Sequence, residues 1–239
     1  MGTPVVRRSP THRAQVVATA ELTPRMRRVT VRADSLRGTL LRPAQDVELH
    51  LREGAGRRVK RRYTISASRL GGELDLDVLL HGDGPGSRWG ATAQPGDTVE
   101  FQGPRGKLEL RSAPAHLLFG DESALPAIAA ICAALPSDEP ATAIIEVSDA
   151  ADELPVHAAD VRWVHRSGTA SGHPELLAQA LADVPIADGV RGYLMGETRA
   201  MIALRSVLER RGVDHDAIFV KGYWNIGRPD RLAGRAPRP

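Results

Sequence analysis

The sequence predicts two domains in series: a six-stranded antiparallel β-barrel, then a doubly wound parallel α/β sheet. Three observations predict this. Six short runs with two-residue alternation or β-branched enrichment fill roughly the first hundred residues, punctuated by Gly, Pro and Asp. From about Ala115 onward, apolar strand-like runs alternate with helical patterns, the rhythm of βαβ units. The chain of 239 residues is also long enough for two small cores. The boundary falls near Ser112 to Ala115. Residues 1–112 are assigned to the barrel, 113–227 to the α/β domain, and 228–239, rich in Pro, Gly and Arg, to a flexible tail.

In chain order, the barrel strands are AQVVATAEL, RRVTVRAD, DVELHLRE, RRYTISAS, ELDLDVLLH and DTVEFQG. A helical piece, GPGSRWGATA, interrupts them; a Gly/Pro turn opens it and Pro95-Gly96-Asp97 closes it. In the second domain HLLFGD is a strand, ESALPAIAAICAAL a helix, and ATAIIEVSD and VRWVHR are strands. PELLAQALADV is a helix, RGYLMGE a strand, RAMIALRSVLERRG a helix and DHDAIFVKGYW a last strand. Ligands of such open sheets sit at the carboxyl ends of the strands, so a crevice facing the barrel is the expected site.

Composition narrows the function. The formal charge of +3 comes with no aromatic-interleaved basic face, which disfavours nucleic acid. No stretch of 18 consecutive apolar residues occurs, and MGTPVVRRSP has no apolar core of a signal peptide, so a soluble, cytoplasmic, monomeric protein without a membrane span is expected. The lone Cys132 excludes an internal disulfide and a cysteine-ligated metal centre, and is expected to pack in a core. No resident metal is expected.

Five places stand out. On the strand around KRRYTISAS, Arg61 and Tyr63 project to one face and Arg62 and Thr64 to the other. Arg61 can clamp a phosphate, Tyr63 can stack on a ring, and Thr64 offers a hydroxyl; the alternative is an edge strand carrying gatekeeper cations. The turn HGDGPGSRW places Gly82, Gly84, Gly86 and Ser87 before a helix whose N-terminus suits an anion, with Ser87 able both to cap it and to donate to a phosphate. FGDESALPAI sets Gly120, Asp121, Glu122 and Ser123 where a dinucleotide-binding sheet usually has its glycine fingerprint. MGE brings Gly196 and Glu197 to a strand end, and KGYWNIG puts Tyr223 and Trp224 at another, in a chain with only 4% aromatics. Acids in a first helical turn and an apolar plug are the alternatives for the last three.

In this order, over nearly the whole chain, these motifs resemble the siderophore-interacting protein family of flavin-dependent ferric-siderophore reductases, within the ferredoxin–NADP reductase superfamily. The resemblance implies FAD in the barrel, NADPH or NADH on the second domain, and a ferric siderophore over the flavin. It implies that Arg61 binds FAD phosphate, Tyr63 stacks on the isoalloxazine and Thr64 bonds near its redox-active nitrogen. Ile65, Ser66, His81, Gly82, Gly84, Gly86 and Ser87 line the rest of that cofactor. Gly120, Asp121, Glu122, Gly196 and Glu197 are implied to border the nicotinamide side, and Ser123, Tyr223 and Trp224 are further expected cofactor-binding residues. Lys60, Arg58 and Lys221 are the expected substrate-facing cations, and no catalytic acid or base is expected. Three departures mark this chain: Ser66 stands where the family usually has Arg, Gly86 replaces a more usual Ala in a change expected to be harmless, and Asn225-Ile226 replaces a basic pair. Asp149 suits an adenosine 2′-hydroxyl and Arg166 a 2′-phosphate, so the choice of NADH or NADPH stays open. Another electron acceptor, or flavin or siderophore binding without turnover, are the competing functions.

Overall fold

A computed structural model describes residues 10–53, 56–157 and 159–227; the predicted tail, 228–239, lies outside the described residues. Six strands close into a barrel: β1 (Thr11–Thr23), β2 (Met26–Arg32), β3 (Asp46–Glu53), β4 (Arg57–Arg69), β5 (Glu73–Leu79) and β6 (Thr98–Arg105). Their order is β1-β2-β5-β4-β3-β6, with every neighbouring pair antiparallel. Alternation turns Val29, Val31, Leu49, Leu51, Leu74, Leu76, Val78 and Phe101 inward, which is why these sequences form half-buried strands. Each such burial is worth roughly 1.5–3 kcal/mol.

One stretch of the barrel wall is incomplete. β4 pairs with β3 along Arg57–Thr64 but meets β5 only from Ile65 to Arg69. Among the described residues, the edge of Arg57–Thr64 on the β5 side therefore carries no strand partner. Helix α1 (Pro85–Thr92), which follows β5, packs against the barrel. The edge expected as the alternative for KRRYTISAS is present in part: the segment lies within a closed barrel, yet its first half is an open edge.

One carboxylate on β3 gathers several of the charges of β3, β4 and β6. Glu48 is buried, accepting from Lys60 Nζ at 2.8 Å and Arg105 Nη2 at 2.6 Å, with Arg62 and His50 nearby. Burial pushes its pKa up, but the hydrogen bonds from Lys60 and Arg105 outweigh that and hold it at about 2.

The second half forms five parallel strands, β7 (His116–Asp121), β8 (Ala141–Val147), β9 (Asp160–His165), β10 (Arg191–Glu197) and β11 (Ile218–Trp224), in the order β11-β10-β7-β8-β9. Helix α2 (Leu125–Cys132) covers one face, while α3 (Pro174–Ala182) and α4 (Thr198–Arg210) cover the other. With both faces covered, β7 is buried along its length, which explains its unbroken apolar character. Cys132 is a buried core residue of α2. The strand order reverses between β7 and β10, which makes their carboxyl ends the topological switch point.

The two halves share one core. Met26, Ala44 and Leu108 of the first half pack in the same apolar cluster as Leu125, Ala127 and Ile128 of α2. At the rim of this junction Arg25 Nη1 donates to the buried Asp152 at 2.6 Å. Among the described residues no helix is long and apolar enough to cross a membrane.

Glu48→Gln tests the charge cluster. The folded-state pKa lies below its unfolded value, so the carboxylate stabilises the fold above pH 4.5 and that contribution fades as pH falls toward 2. The variant is expected to lose about 2–3 kcal/mol at pH 7. The gap to the unsubstituted protein should close on acidification, as read by urea melts across pH.

Candidate functional site

The open edge of β4 and the start of α1 face each other. Gly84 is the N-cap of α1 and no side chain caps it, while Pro85 occupies the first turn, where a missing N–H costs nothing. The opposite end is closed: Arg27 Nη1 donates to the carbonyls of Gly90 and Ala91, each at 2.8 Å. A Cβ built on Gly82 or Gly84 would meet nothing within 4 Å, so the turn borders open space. The helix thus offers amide donors and its positive dipole end to that space. Ser87 departs from expectation. Its buried hydroxyl donates to His81 O at 2.8 Å and accepts from His81 N at 3.0 Å, so it staples the turn instead of capping the helix.

Tyr63 packs on the barrel core beside Trp89, ring centroids 6.1 Å apart, and burial pushes its phenol pKa up. Arg61 runs along the same face, its Cγ 3.6 Å from the position a Gly86 Cβ would take. Thr64 points the other way and shares a 3.0 Å hydrogen bond with the Tyr223 hydroxyl. Ile65 is a core residue whose N–H donates to Gln45 O at 2.9 Å. The Ser66 hydroxyl donates to Asp75 O at 3.1 Å, so it braces β5.

In the sheet, one carboxylate gathers the strand ends. Asp121, at the end of β7, is buried and accepts from Ser123 N at 2.9 Å, from the Ser123 hydroxyl, from Glu197 N at 3.1 Å and from Trp224 Nε1 at 2.8 Å. Burial pushes its pKa up, while the Ser123 and Trp224 hydrogen bonds oppose that. The same interactions explain why α2 begins at Leu125 and not at Glu122: residues 122–124 are turned by Asp121, whose carbonyl also accepts from Ala124 N at 2.9 Å. Glu197 is buried too, capping α4 through Ala200 N at 2.8 Å and accepting from Ile226 N at 3.2 Å. Gly196 adopts φ +152°, and a Cβ there would lie 2.8 Å from the Asp121 carboxylate. Gly120 is needed for packing, since a Cβ would sit 2.6 Å from Met195 O and 2.9 Å from Ile128.

Glu122 lies outside this knot. Arg166 grips it at 2.5 and 2.8 Å and reaches Glu146 at 3.3 Å. With a side chain 11% exposed, Arg166 is committed to carboxylates. Asp149 in turn pairs with Arg25 at 3.4 Å. Burial pushes Glu146 up, Arg166 opposes and Asp121 and Glu122 add to it, leaving a pKa of about 7. Neither Glu146 nor Asp46 was visible as special in the sequence, because an acid in a strand reads as a solvated alternate position. Asp46 accepts from Lys221 Nζ at 2.9 Å, and that ammonium lies 5.0 Å above the Tyr223 ring. Lys221 thus clamps β11 to the barrel, and Lys60, half exposed, is held by Glu48. Arg58 is exposed and lines a cavity of about 620 Å³ beside α1, together with Arg13, Arg52, Arg88, His50 and Trp89. Among the described residues no cluster of three or more His, Cys, Asp or Glu suits a metal ion.

The sequence-predicted residues thus meet from two sides. Arg61 and Tyr63 face the start of α1 at Gly86, while Thr64, on the opposite face of β4, meets Tyr223 of β11; Asp121, Gly196, Glu197 and Trp224 gather at the strand ends of the sheet. Glu122, Ser66, Lys60 and Lys221 are held by protein partners. A diphosphate fits the uncapped α1 N-terminus with Arg61 alongside, and a ring fits Tyr63 and the unpaired β4 edge. The residues present therefore fit a flavin dinucleotide.

Two substitutions check this electrostatic frame. Asp121→Asn replaces an acceptor of four donors by a group that itself donates, with an expected loss of about 2–3 kcal/mol in chemical denaturation. Glu146 has a folded-state pKa above the unfolded 4.5, so its effect on stability is most favourable below that value and is lost as pH rises through about 7. Glu146→Gln is expected to melt above the unsubstituted protein at pH 8, with the difference vanishing near pH 5.

Comparison with known proteins agrees with this geometry. The model described as siderophore-interacting FAD-binding domain matches residues 39–108, and that described as siderophore-interacting protein matches residues 113–227. A siderophore utilization protein from T. fusca superimposes with a TM-score of 0.84 at 32% identity, over 94% of this chain and 96% of that one. The ferric vibriobactin reductase ViuB of Vibrio cholerae is 32% identical over 180 residues, 71% of this chain and 66% of ViuB. The NADPH-dependent ferric-chelate reductase of Escherichia coli is 29% identical over 174 residues, 69% of this chain and 66% of that protein. The chain thus spans just under two thirds of the length of these two curated relatives. The ferredoxin reductase of a carbazole 1,9a-dioxygenase shares the fold, with a TM-score of 0.73 at 20% identity. A closed barrel set against the switch point of a parallel sheet is therefore the frame of a known group: the chain belongs to the siderophore-interacting protein family.

Proposed function

We propose that the chain reduces ferric iron in siderophore complexes, taking electrons from NADPH or NADH through FAD and releasing ferrous iron in the cytoplasm. The observation that carries this reading is the open β4 edge: on one face Tyr63 meets the uncapped start of α1, and on the other Thr64 is tied to Tyr223 at the strand ends of the sheet. In this reading residues 1–112 hold the flavin nucleotide and 113–227 the nicotinamide nucleotide. FAD, when bound, supplies the conversion between a two-electron hydride donor and a one-electron metal acceptor.

The chain's own residues position and exclude. Arg61 and the first α1 amides hold the diphosphate, and Tyr63 offers a ring face. Thr64, anchored by Tyr223, presents its oxygen at a fixed place on the β4 edge. Asp121 is surrounded by donors and serves as a strut, not as an acid or base. The guanidiniums of Arg13, Arg52, Arg58 and Arg88 beside α1 raise the local concentration of an anionic chelate. One observation favours a second reading, in which the acceptor is a flavin, a quinone or a small redox protein. Lys60 and Lys221 answer carboxylates of the barrel wall and Ser66 replaces a cation, which leaves less positive charge for a highly anionic iron complex.

An anaerobic assay on FAD-reconstituted protein separates these. NADPH or NADH is expected to bleach the flavin absorbance, and a ferric siderophore to restore it while a ferrous trap colours. Protein that takes up no FAD overturns the proposal; bleaching that no ferric chelate reverses moves it to the second reading. Tyr63→Ala is expected to weaken FAD affinity roughly tenfold or more, by titration of flavin fluorescence.

A further inference from the structure

Tyr63 and the α1 turn fit together through one missing side chain. A Cβ built on Gly86 would lie well inside van der Waals contact distance of the Tyr63 phenol oxygen, with Cζ behind it at 3.4 Å, so the C–O bond points at the place a Gly86 side chain would occupy. The contact is buried. The Gly86 backbone lies outside the left-handed region, so glycine is required there for space and not for its dihedral angles. Its neighbours differ: a Cβ on Gly82 or Gly84 meets nothing within 4 Å. Trp89, one turn further along α1, flanks the same phenol ring at 6.1 Å and an interplanar angle of 39°. The ring is thus bounded on one side by an indole and at its tip by bare backbone.

We propose that Gly86 is a positioning residue: by carrying no side chain it seats the Tyr63 hydroxyl on the first turn of α1 and so sets the plane of the phenol ring that faces the flavin. The seat is a property of the apoprotein; its meaning for the flavin rests on the function proposed above. A methyl group at Gly86 forces the ring to turn about its side-chain torsions, and the Trp89 indole leaves it little room to do so without tilting. Removing the phenol oxygen clears the obstruction, because Cζ at 3.4 Å is an ordinary contact distance for a methyl. Gly86→Ala is therefore not the harmless change expected from the sequence, and its effect depends on whether Tyr63 keeps its oxygen.

A double-mutant cycle tests this with Gly86→Ala, Tyr63→Phe and the pair, each read by apoprotein melting temperature, FAD dissociation constant and the absorption spectrum of the bound flavin. Gly86→Ala alone is expected to lower the melting temperature, weaken FAD binding at least about fivefold and shift the flavin bands, as overpacking of a fitted contact does. In the Tyr63→Phe background the same substitution should raise the melting temperature, since alanine is the better helix former, and change FAD affinity less than about twofold. Equal effects in both backgrounds overturn the proposal. Coupling in melting temperature without coupling in flavin affinity or spectrum also overturns it, leaving Gly86 a packing glycine. Protein that binds no FAD in any form sinks the flavin reading, while the melting-temperature cycle still decides the seat.

Discussion

Burying the Asp121 carboxylate obliges its surroundings to supply donors, since an unanswered charge in that position would cost several kcal/mol. The donors come from three chain segments: the turn at Ser123, the end of β10 at Glu197 and the end of β11 at Trp224. One side chain thereby draws together the carboxyl ends of β7, β10 and β11, which flank the switch point. The side chains of β11 inherit that placement. Tyr223 is brought within hydrogen-bond reach of Thr64, and Lys221 within reach of Asp46, so the arrangement of the sheet is passed to the barrel wall.

The two faces of the groove are built by opposite means. On the sheet side the polar groups near the strand ends have protein partners, and Glu122, Glu197 and Arg166 are all committed. On the barrel side the backbone groups of the α1 N-terminus and of the β4 edge are left without strand or cap. In the function proposed, the flavin nucleotide is therefore directed to the barrel, while the sheet supplies a rigid rim. The ferric substrate, in the function proposed, meets a mouth whose lysines already neutralise carboxylates, and its attraction rests on arginines.

Much of this was legible in the sequence. The alternation in DVELHLRE and ELDLDVLLH predicted strands of a barrel, and the apolar run HLLFGD predicted a buried strand of the second sheet. Local rules suffice there, because side-chain period and turn residues decide the outcome within a few positions. That Arg61 and Tyr63 share one strand face, and that a helix starts after Gly84, was legible as well, since a strand face and a helix start are short-range features. What escaped were partnerships across the fold. Ser87 closes its own turn, Lys221 meets Asp46 from 175 positions away, and Arg166 finds two buried acids. Nothing in the spacing of the chain announces such pairings, because the tertiary packing that creates them also sets the cost of leaving any of them unmade.

The cluster in which Met26, Ala44 and Leu108 pack with the residues of α2 makes the junction of the two halves a weld and not a hinge. A molecule with that seam does not open and shut around its guests. In the function proposed, donor and acceptor therefore approach a doorway of fixed shape.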